Sequence, residues 1–186
     1  MLVLASRLRS QPIMSLQTGG EIAHITDTVI DPADLAILAY EVVGPLVSGK
    51  HYIRIEDIRE LSDIGFIIDS IDELVAPGDV IKLDEIISYN FHLRGMRVQD
   101  EKKHKLGKIT DYTVDVGTFT VQQLTVRRPM MHGFTDTELL VHRSQIIEIN
   151  NDAIVVHSKA EIPEHTRLTT PGSYVNPFRA TKPAAD

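Results

Sequence analysis

The chain of 186 residues contains no cysteine. Disulfides, thiolate metal sites and cysteine nucleophiles are therefore excluded. The chain also lacks any apolar run that approaches the roughly 18–20 residues of a membrane-spanning helix. Its first ten residues, MLVLASRLRS, are apolar for five residues and then become basic, which is the wrong order for a signal peptide. We expect a soluble, cytoplasmic protein.

Sequence motifs of catalysis are missing as well. No nucleophile elbow G-x-S-x-G, no P-loop and no dinucleotide-binding glycine pattern occurs. The eight histidines are scattered, without the H-x-x-x-H or H-E-x-x-H spacing of zinc sites. We therefore predict that the protein is not an enzyme, and we assign it no catalytic residue, no cofactor and no metal ligand.

What the chain does contain is an internal repeat. Residues 21–45 align without a gap on residues 105–129 at an offset of 84, and six identities recur within that stretch. Further apolar positions align upstream and downstream, with length changes only where turns are expected. A period near 84 is longer than the repeats of a solenoid, which run to about 20–50 residues, so it indicates two small domains in tandem.

The alternation of apolar and polar residues predicts short strands in both copies. In the first copy, residues 22–26 and 35–43 form a hairpin around a turn that begins at Asp31. Asp115 takes the same position in the second copy. Because turn formation is needed in any copy of the unit, we interpret these two aspartates as turn residues rather than as a carboxylate site.

These patterns predict an all-β fold. We expect two tandem small, mostly antiparallel β-barrels with short helical turns, assigned to residues 1–87 and 88–160. Residues 80–83, in the link between the copies, are a candidate extra strand. The tail, residues 161–186, is punctuated by four prolines and has little periodicity, so we expect it to be extended or disordered.

The second copy resembles the PRC-barrel family. The resemblance rests on four stretches, which are Leu93-Arg94-Gly95-Met96-Arg97-Val98, Leu106-Gly107-Lys108-Ile109-Thr110-Asp111, Asp115, and Arg143-Ser144-Gln145-Ile146-Ile147-Glu148-Ile149 with Ile154-Val155-Val156. The first copy is a weaker match, because Ala23 stands where the second copy has Gly107. Together the two copies cover about 160 residues of the chain.

The resemblance implies a small antiparallel barrel in each copy. Similar barrels occur in the cytoplasmic part of the photosynthetic reaction centre H subunit and at the C-terminus of a ribosome maturation factor. Members of the family typically act as protein-interaction modules and share no catalytic residues. This chain departs from both examples, because we find neither a membrane anchor nor a segment before residue 8 for the other domain of the ribosome factor.

Charge separates the two copies. Residues 1–87 hold 6 Lys and Arg against 15 Asp and Glu, a net charge of −9, whereas residues 88–160 hold 10 against 8, a net charge of +2. An acidic first copy argues against binding of a phosphate backbone as the main activity. We therefore predict a non-enzymatic adaptor or scaffold that binds a protein partner, with a homodimer through exposed strand edges as a further expectation.

Two alternatives stay open. The second copy could serve an RNA-processing or ribosome-associated factor if its basic residues form one continuous patch, and these residues are Lys102, Lys103, Lys105, Lys108, Arg127 and Arg128. A barrel that binds a small ligand or a metal is the third option, although barrels of this size are usually filled by side chains.

Two segments carry the candidate partner-binding residues. Arginine and methionine are enriched at protein interfaces, which points to Arg127, Arg128, Met130 and Met131. In the tail, an isolated aromatic cluster in a polar stretch is typical of a docking motif, which points to Tyr174, Phe178 and Arg179.

Overall fold

The computed structural model describes residues 1–128, 138–150 and 152–157. These residues are mostly β-structure and form two mixed sheets, which confirms the predicted β-rich fold class. In the described residues the strand pairing of each sheet follows an open path, so closure into barrels stays a prediction. The chain begins with strand β1 (Leu2–Leu4) and a one-turn helix, α1 (Ala5–Leu8).

The first sheet is built from seven strands. They are β2 (Pro12–Ser15), β3 (Gly20–Ile30), β4 (Ile37–Gly44), β5 (Val47–Arg54), β6 (Glu60–Ser62), β7 (Gly65–Ile68) and β8 (Leu74–Val75). Their spatial order is β6-β7-β2-β3-β4-β5-β8. All neighbours are antiparallel except β2 and β7, which are parallel.

The second sheet follows helix α2 (Ile81–Ser88). Its strands are β9 (Arg97–Asp100), β10 (Lys105–Asp115), β11 (Thr120–Arg127), β12 (Glu138–His142), β13 (Ile146–Ile149) and β14 (Ala153–Val156). Their spatial order is β12-β11-β10-β9-β14-β13, with β9 and β14 parallel. Strands β9 to β14 therefore have the same order as strands β2 to β7. The expected short helical turns are 3-10 turns at Ile55–Asp57, Ile71–Glu73 and Arg143–Gln145.

Both long hairpins turn at an aspartate. The Asp31 carboxylate accepts a hydrogen bond from the Ala33 N–H at 2.8 Å, and the Asp115 carboxylate accepts one from the Gly117 N–H at 3.0 Å. A side chain that bonds its own backbone two residues on stabilises a tight turn. The two carboxylates are thus used in the turns, as their positions in the repeat predict.

The two hairpin turns also contact each other. Leu35 and Phe119, which end these turns, have positive φ angles of 58° and 48°. The Ile37 N–H donates to the Phe119 carbonyl at 2.7 Å, and the Val121 N–H donates to the Leu35 carbonyl at 3.0 Å. Each turn therefore both donates a hydrogen bond to the other and accepts one from it, which is the pattern of a two-fold contact.

The two sheets share one hydrophobic core. A continuous cluster of buried apolar side chains runs from Ile13 and Phe66 in the first sheet to Val98 and Ile154 in the second. Strand β1 pairs with β10, so residues 2–4 lie in the second sheet although they precede the strands of the first. The predicted division into residues 1–87 and 88–160 stays a prediction.

Residues 80–83 are not the extra strand that their apolar character predicted. Ile81–Ser88 form helix α2, and Leu83 and Ile87, four residues apart, pack with Ala39 and Tyr52 of the first sheet. A spacing of four places both side chains on one helical face. The extra strand beside β5 is instead β8, in which Leu74 and Val75 pair with Ile53 and Tyr52.

Candidate functional site

Three cations lie side by side across the second sheet. In the strand register, Arg97 of β9 is opposite Lys108 of β10, and Lys108 is in turn opposite Arg127 of β11. All three side chains are exposed. We call Arg97, Lys108 and Arg127 the cation row. Directly opposite residues have their Cβ atoms about 5 Å apart on the same face of a sheet, so the three charges are close neighbours.

This arrangement opposes folding. Like charges directly opposite each other destabilise a sheet. In the described part of the chain, no ion pair joins any residue of the cation row to a carboxylate. Glu138 of β12 is opposite Arg127 and is the one acidic neighbour in the same row. The repulsion at the centre of the row, around Lys108, is therefore uncompensated within these residues.

The cation row forms part of a larger cleft. This cleft has a volume of about 1230 Å³. We call it the basic cleft, because the charged residues that line it are Arg94, Arg97, Lys103, Lys105, Lys108, Arg127, Arg128 and Asp152. Seven of these eight side chains are cationic. No aromatic residue is among the described residues that line it.

The same positions of the first sheet carry almost no positive charge. The row that corresponds to Arg97, Lys108 and Arg127 consists of Pro12, His24 and Val43, joined by the same register of β2, β3 and β4. Beside it, Lys105 is opposite Gln99, where the first sheet places Glu21 opposite Met14. Since both sheets adopt the same strand order, the fold itself does not require these cations.

A glycine lets the strands under the basic cleft cross closely. A Cβ on Gly107 of β10 would lie 2.2 Å from the carbonyl oxygen of Arg127, and the φ of Gly107 is +155°. In the first sheet the close approach is made by Gly44 of β4, whose Cβ would lie 2.2 Å from the carbonyl oxygen of Ile22 and 2.5 Å from Cα of Ala23. The glycine has changed strands between the two sheets, which explains why Ala23 can stand where the second copy has Gly107.

The turn between β9 and β10 is held by Asp100. Its carboxylate accepts hydrogen bonds from the Lys102 N–H at 2.9 Å and the His104 N–H at 2.8 Å, and it contacts the His104 Nδ1 at 2.8 Å. Burial of Asp100 opposes its ionisation, but these bonds from His104 and Lys102 outweigh that effect and keep the pKa of Asp100 below its usual value. The turn that presents Lys103 to the basic cleft is therefore fixed by the Asp100 carboxylate.

The predicted partner-binding residues fall into two groups. Arg127 and Arg128 line the basic cleft. The remaining predicted residues, Met130, Met131, Tyr174, Phe178 and Arg179, lie outside the described residues. Lys102 of the proposed basic patch is exposed but does not line the cleft.

Sequence reasoning missed Arg94 and Arg97. Both belong to the stretch that resembles the PRC-barrel family, where they were interpreted as part of the fold. A comparison of the copies position by position would have found Arg97, because its counterpart in the repeat is Pro12. It would not have found Arg94, which corresponds to Arg9 and forms an ion pair with Asp111 at 3.1 Å.

A second cavity lies between the halves of the chain. Its volume is about 420 Å³, and the charged or polar residues that line it include Arg9, Asp27, His92, Arg94 and Tyr112. Burial raises the pKa of the Tyr112 phenol, while a hydrogen bond from Thr28 counters the shift. Asp27 and His92 of this cavity approach each other to 3.6 Å.

The described residues contain no group of three or more potential metal ligands. Within the same residues, no helix has the length and apolar character to cross a membrane. No protein-family model matches the chain. No curated protein matches it either.

Proposed function

We propose that the protein is a non-enzymatic adaptor of the cytoplasm, built from two PRC-like β-barrels in tandem, and that it binds a protein partner through the basic cleft. The first sheet supplies a scaffold of the same strand order. The second sheet supplies the contact surface. The shared core and the exchanged hydrogen bonds between the hairpin turns support a fixed arrangement of the two.

A single observation carries this proposal. The cation row occurs in one of two sheets that have the same strand order, and it places like charges directly opposite one another. Residues that work against folding and are dispensable in the equivalent sheet are typical of a binding site. The seven cations of the basic cleft would attract an anionic surface and speed its encounter.

A pull-down from the cytoplasm of the host cell tests the adaptor role. The cleft variant carries Arg97→Gln, Lys108→Gln and Arg127→Gln. The control variant carries three substitutions of exposed cations outside the basic cleft, which are Arg7→Gln, Lys82→Gln and Lys102→Gln. The two variants have the same net charge.

After nuclease treatment of the extract, we expect specific proteins to be retained by the unmodified protein and the control variant. The cleft variant should lose them. Equal recovery by both variants would show that the basic cleft is not the contact surface. A complete lack of retained proteins would contradict the adaptor role itself.

RNA binding is the second candidate function. It is favoured by the finding that Lys103, Lys105, Lys108, Arg127 and Arg128, five of the six residues of the predicted patch, line one cleft. Binding through phosphates weakens steeply as salt is added, because the release of counterions from the nucleic acid becomes less favourable. A gel-shift series against single-stranded RNA at rising salt tests this candidate, and absent or salt-independent binding removes it.

A further inference from the structure

We infer that the basic cleft binds an extended, acidic peptide segment of the protein partner. This inference rests on the proposed adaptor function and specifies its ligand. Three observations point to this ligand class: the spacing of the cations, the absence of aromatic side chains among the described residues of the cleft, and the negative charge of the first half of the chain.

The spacing of the cation row suits carboxylates on an extended chain. Arg97, Lys108 and Arg127 lie on adjacent strands, which are about 4.8 Å apart, so the row spans about 10 Å. In an extended peptide, side chains on one face recur every second residue, about 6.5–7 Å apart. Two acidic residues separated by one other residue span less than the length of the row, so both carboxylates lie within its reach, and the guanidinium groups at its ends can bind carboxylates in bidentate geometry.

The composition of the basic cleft disfavours nucleic acid. Bases of single-stranded RNA stack on aromatic side chains and on arginine planes, and no aromatic side chain lines the cleft in the described residues. The first half of the chain, with a net charge of −9, would repel any polyanion that extends beyond the cleft. A short acidic segment contacts the cations without meeting that repulsion.

The backbone that carries the cations of the basic cleft is held in place before a ligand arrives. Lys103 sits on the turn that Asp100 fixes, with a positive φ of 65°. Lys105 and Lys108 sit on β10, which pairs with β9 on one side and β11 on the other. A surface whose backbone is already positioned loses less freedom on binding, so its contacts contribute more to affinity.

Fluorescence anisotropy with two labelled peptides tests the inference. In the first peptide Glu alternates with Ser, and in the second Gln replaces every Glu. We expect saturable binding of the Glu peptide alone, weakened by added salt. The cleft variant should lose about tenfold or more in affinity, and the control variant of equal net charge should stay within about twofold. Circular dichroism and thermal unfolding establish that both variants are folded.

A single-stranded RNA of matched formal charge forms the second arm of the experiment. If RNA binds more tightly than the Glu peptide and the cleft variant loses RNA, the acidic-peptide inference is wrong and the second candidate function takes its place. If neither probe binds, the inference is also overturned, whereas the adaptor proposal is judged separately by the pull-down. Equal losses in the cleft and control variants would show that net charge, not the cation row, determines binding.

Discussion

Removal of the central charge of the cation row should stabilise the free protein. Lys108 has Arg97 opposite on one side and Arg127 opposite on the other, and no ion pair compensates it in the described residues. The substitution Lys108→Gln keeps a polar, exposed side chain and removes both repulsions. Most substitutions of surface residues leave the free energy of unfolding unchanged or lower it slightly, whereas this one should raise it.

The size of the gain follows from two pair interactions. Two unit charges about 5 Å apart repel by roughly 0.8 kcal/mol in water, so two neighbours give about 1.6 kcal/mol as an upper value. The charged ends of long side chains move apart, and exposed pairs usually contribute about 0–1 kcal/mol each. We therefore expect Lys108→Gln to raise the free energy of unfolding by about 0.5–1.5 kcal/mol at low salt. The gain should shrink in about 1 M salt, where the screening length is about 3 Å.

Urea unfolding at low and high salt measures this effect. Lys108→Arg, which keeps the charge, and Lys82→Gln, which removes an exposed charge outside the basic cleft, are the controls and should change the stability by less than about 0.5 kcal/mol. The same Lys108→Gln protein should bind the acidic peptide more weakly. A gain that persists unchanged in high salt, or no gain at all, would refute the argument that the cation row costs stability.

Three further predictions concern residues of the two sheets and their turns. Gly107→Ala should lower the free energy of unfolding by roughly 2–5 kcal/mol, because backbone strain adds to overlap with a carbonyl oxygen. Gly95 also has a positive φ, but nothing lies within 4 Å of an added Cβ, so Gly95→Ala should lower it by only about 1–3 kcal/mol. Urea unfolding measures both variants. The buried Tyr40 hydroxyl has no partner in the described residues, so Tyr40→Phe should raise the melting temperature measured by thermal unfolding. The pKa of Asp100 is lower in the folded than in the unfolded protein, so its ionised carboxylate stabilises the fold at neutral pH, and this stabilisation is lost as the pH falls below about 4. Asp100→Asn should therefore have a lower free energy of unfolding than the unmodified protein at pH 7, and the difference between the two proteins should narrow in acid.

Much of the local structure could be predicted because it depends on neighbours in sequence. The turns at Asp31 and Asp115 follow from an aspartate that bonds the backbone two residues on. The strands follow from the alternation of apolar and polar residues. These features need no knowledge of distant contacts.

Helix α2 could not be predicted from its local sequence. The apolar run at residues 80–83 fits a strand as well as a helix, because short apolar runs carry no clear period. The helical conformation is favoured because it lets Leu83 and Ile87 pack together on the surface of the first sheet, beside Ala39 and Tyr52. That surface exists only after the sheet has formed.

The basic cleft was predictable in part. The sequence showed that the second copy is more basic and drew attention to Arg127 and Arg128. Arg97 and Lys108 are 11 residues apart in the chain, and Arg127 is 19 residues further on, so nothing local indicates that they are neighbours. Strand register makes them adjacent, and register depends on the bulges and turns of the whole sheet.

By itself, the sequence determined the β-rich character of the chain, the turn aspartates and the difference in charge between residues 1–87 and 88–160, and it predicted the repeat. These properties reside in residue types and their spacing along the chain. Only the tertiary structure decided that β1 joins the second sheet, that residues 81–88 are helical, and that three cations from three strands form one row. Each of these depends on pairing or packing between residues distant in sequence, where free energy is gained only when the partner surface is already in place.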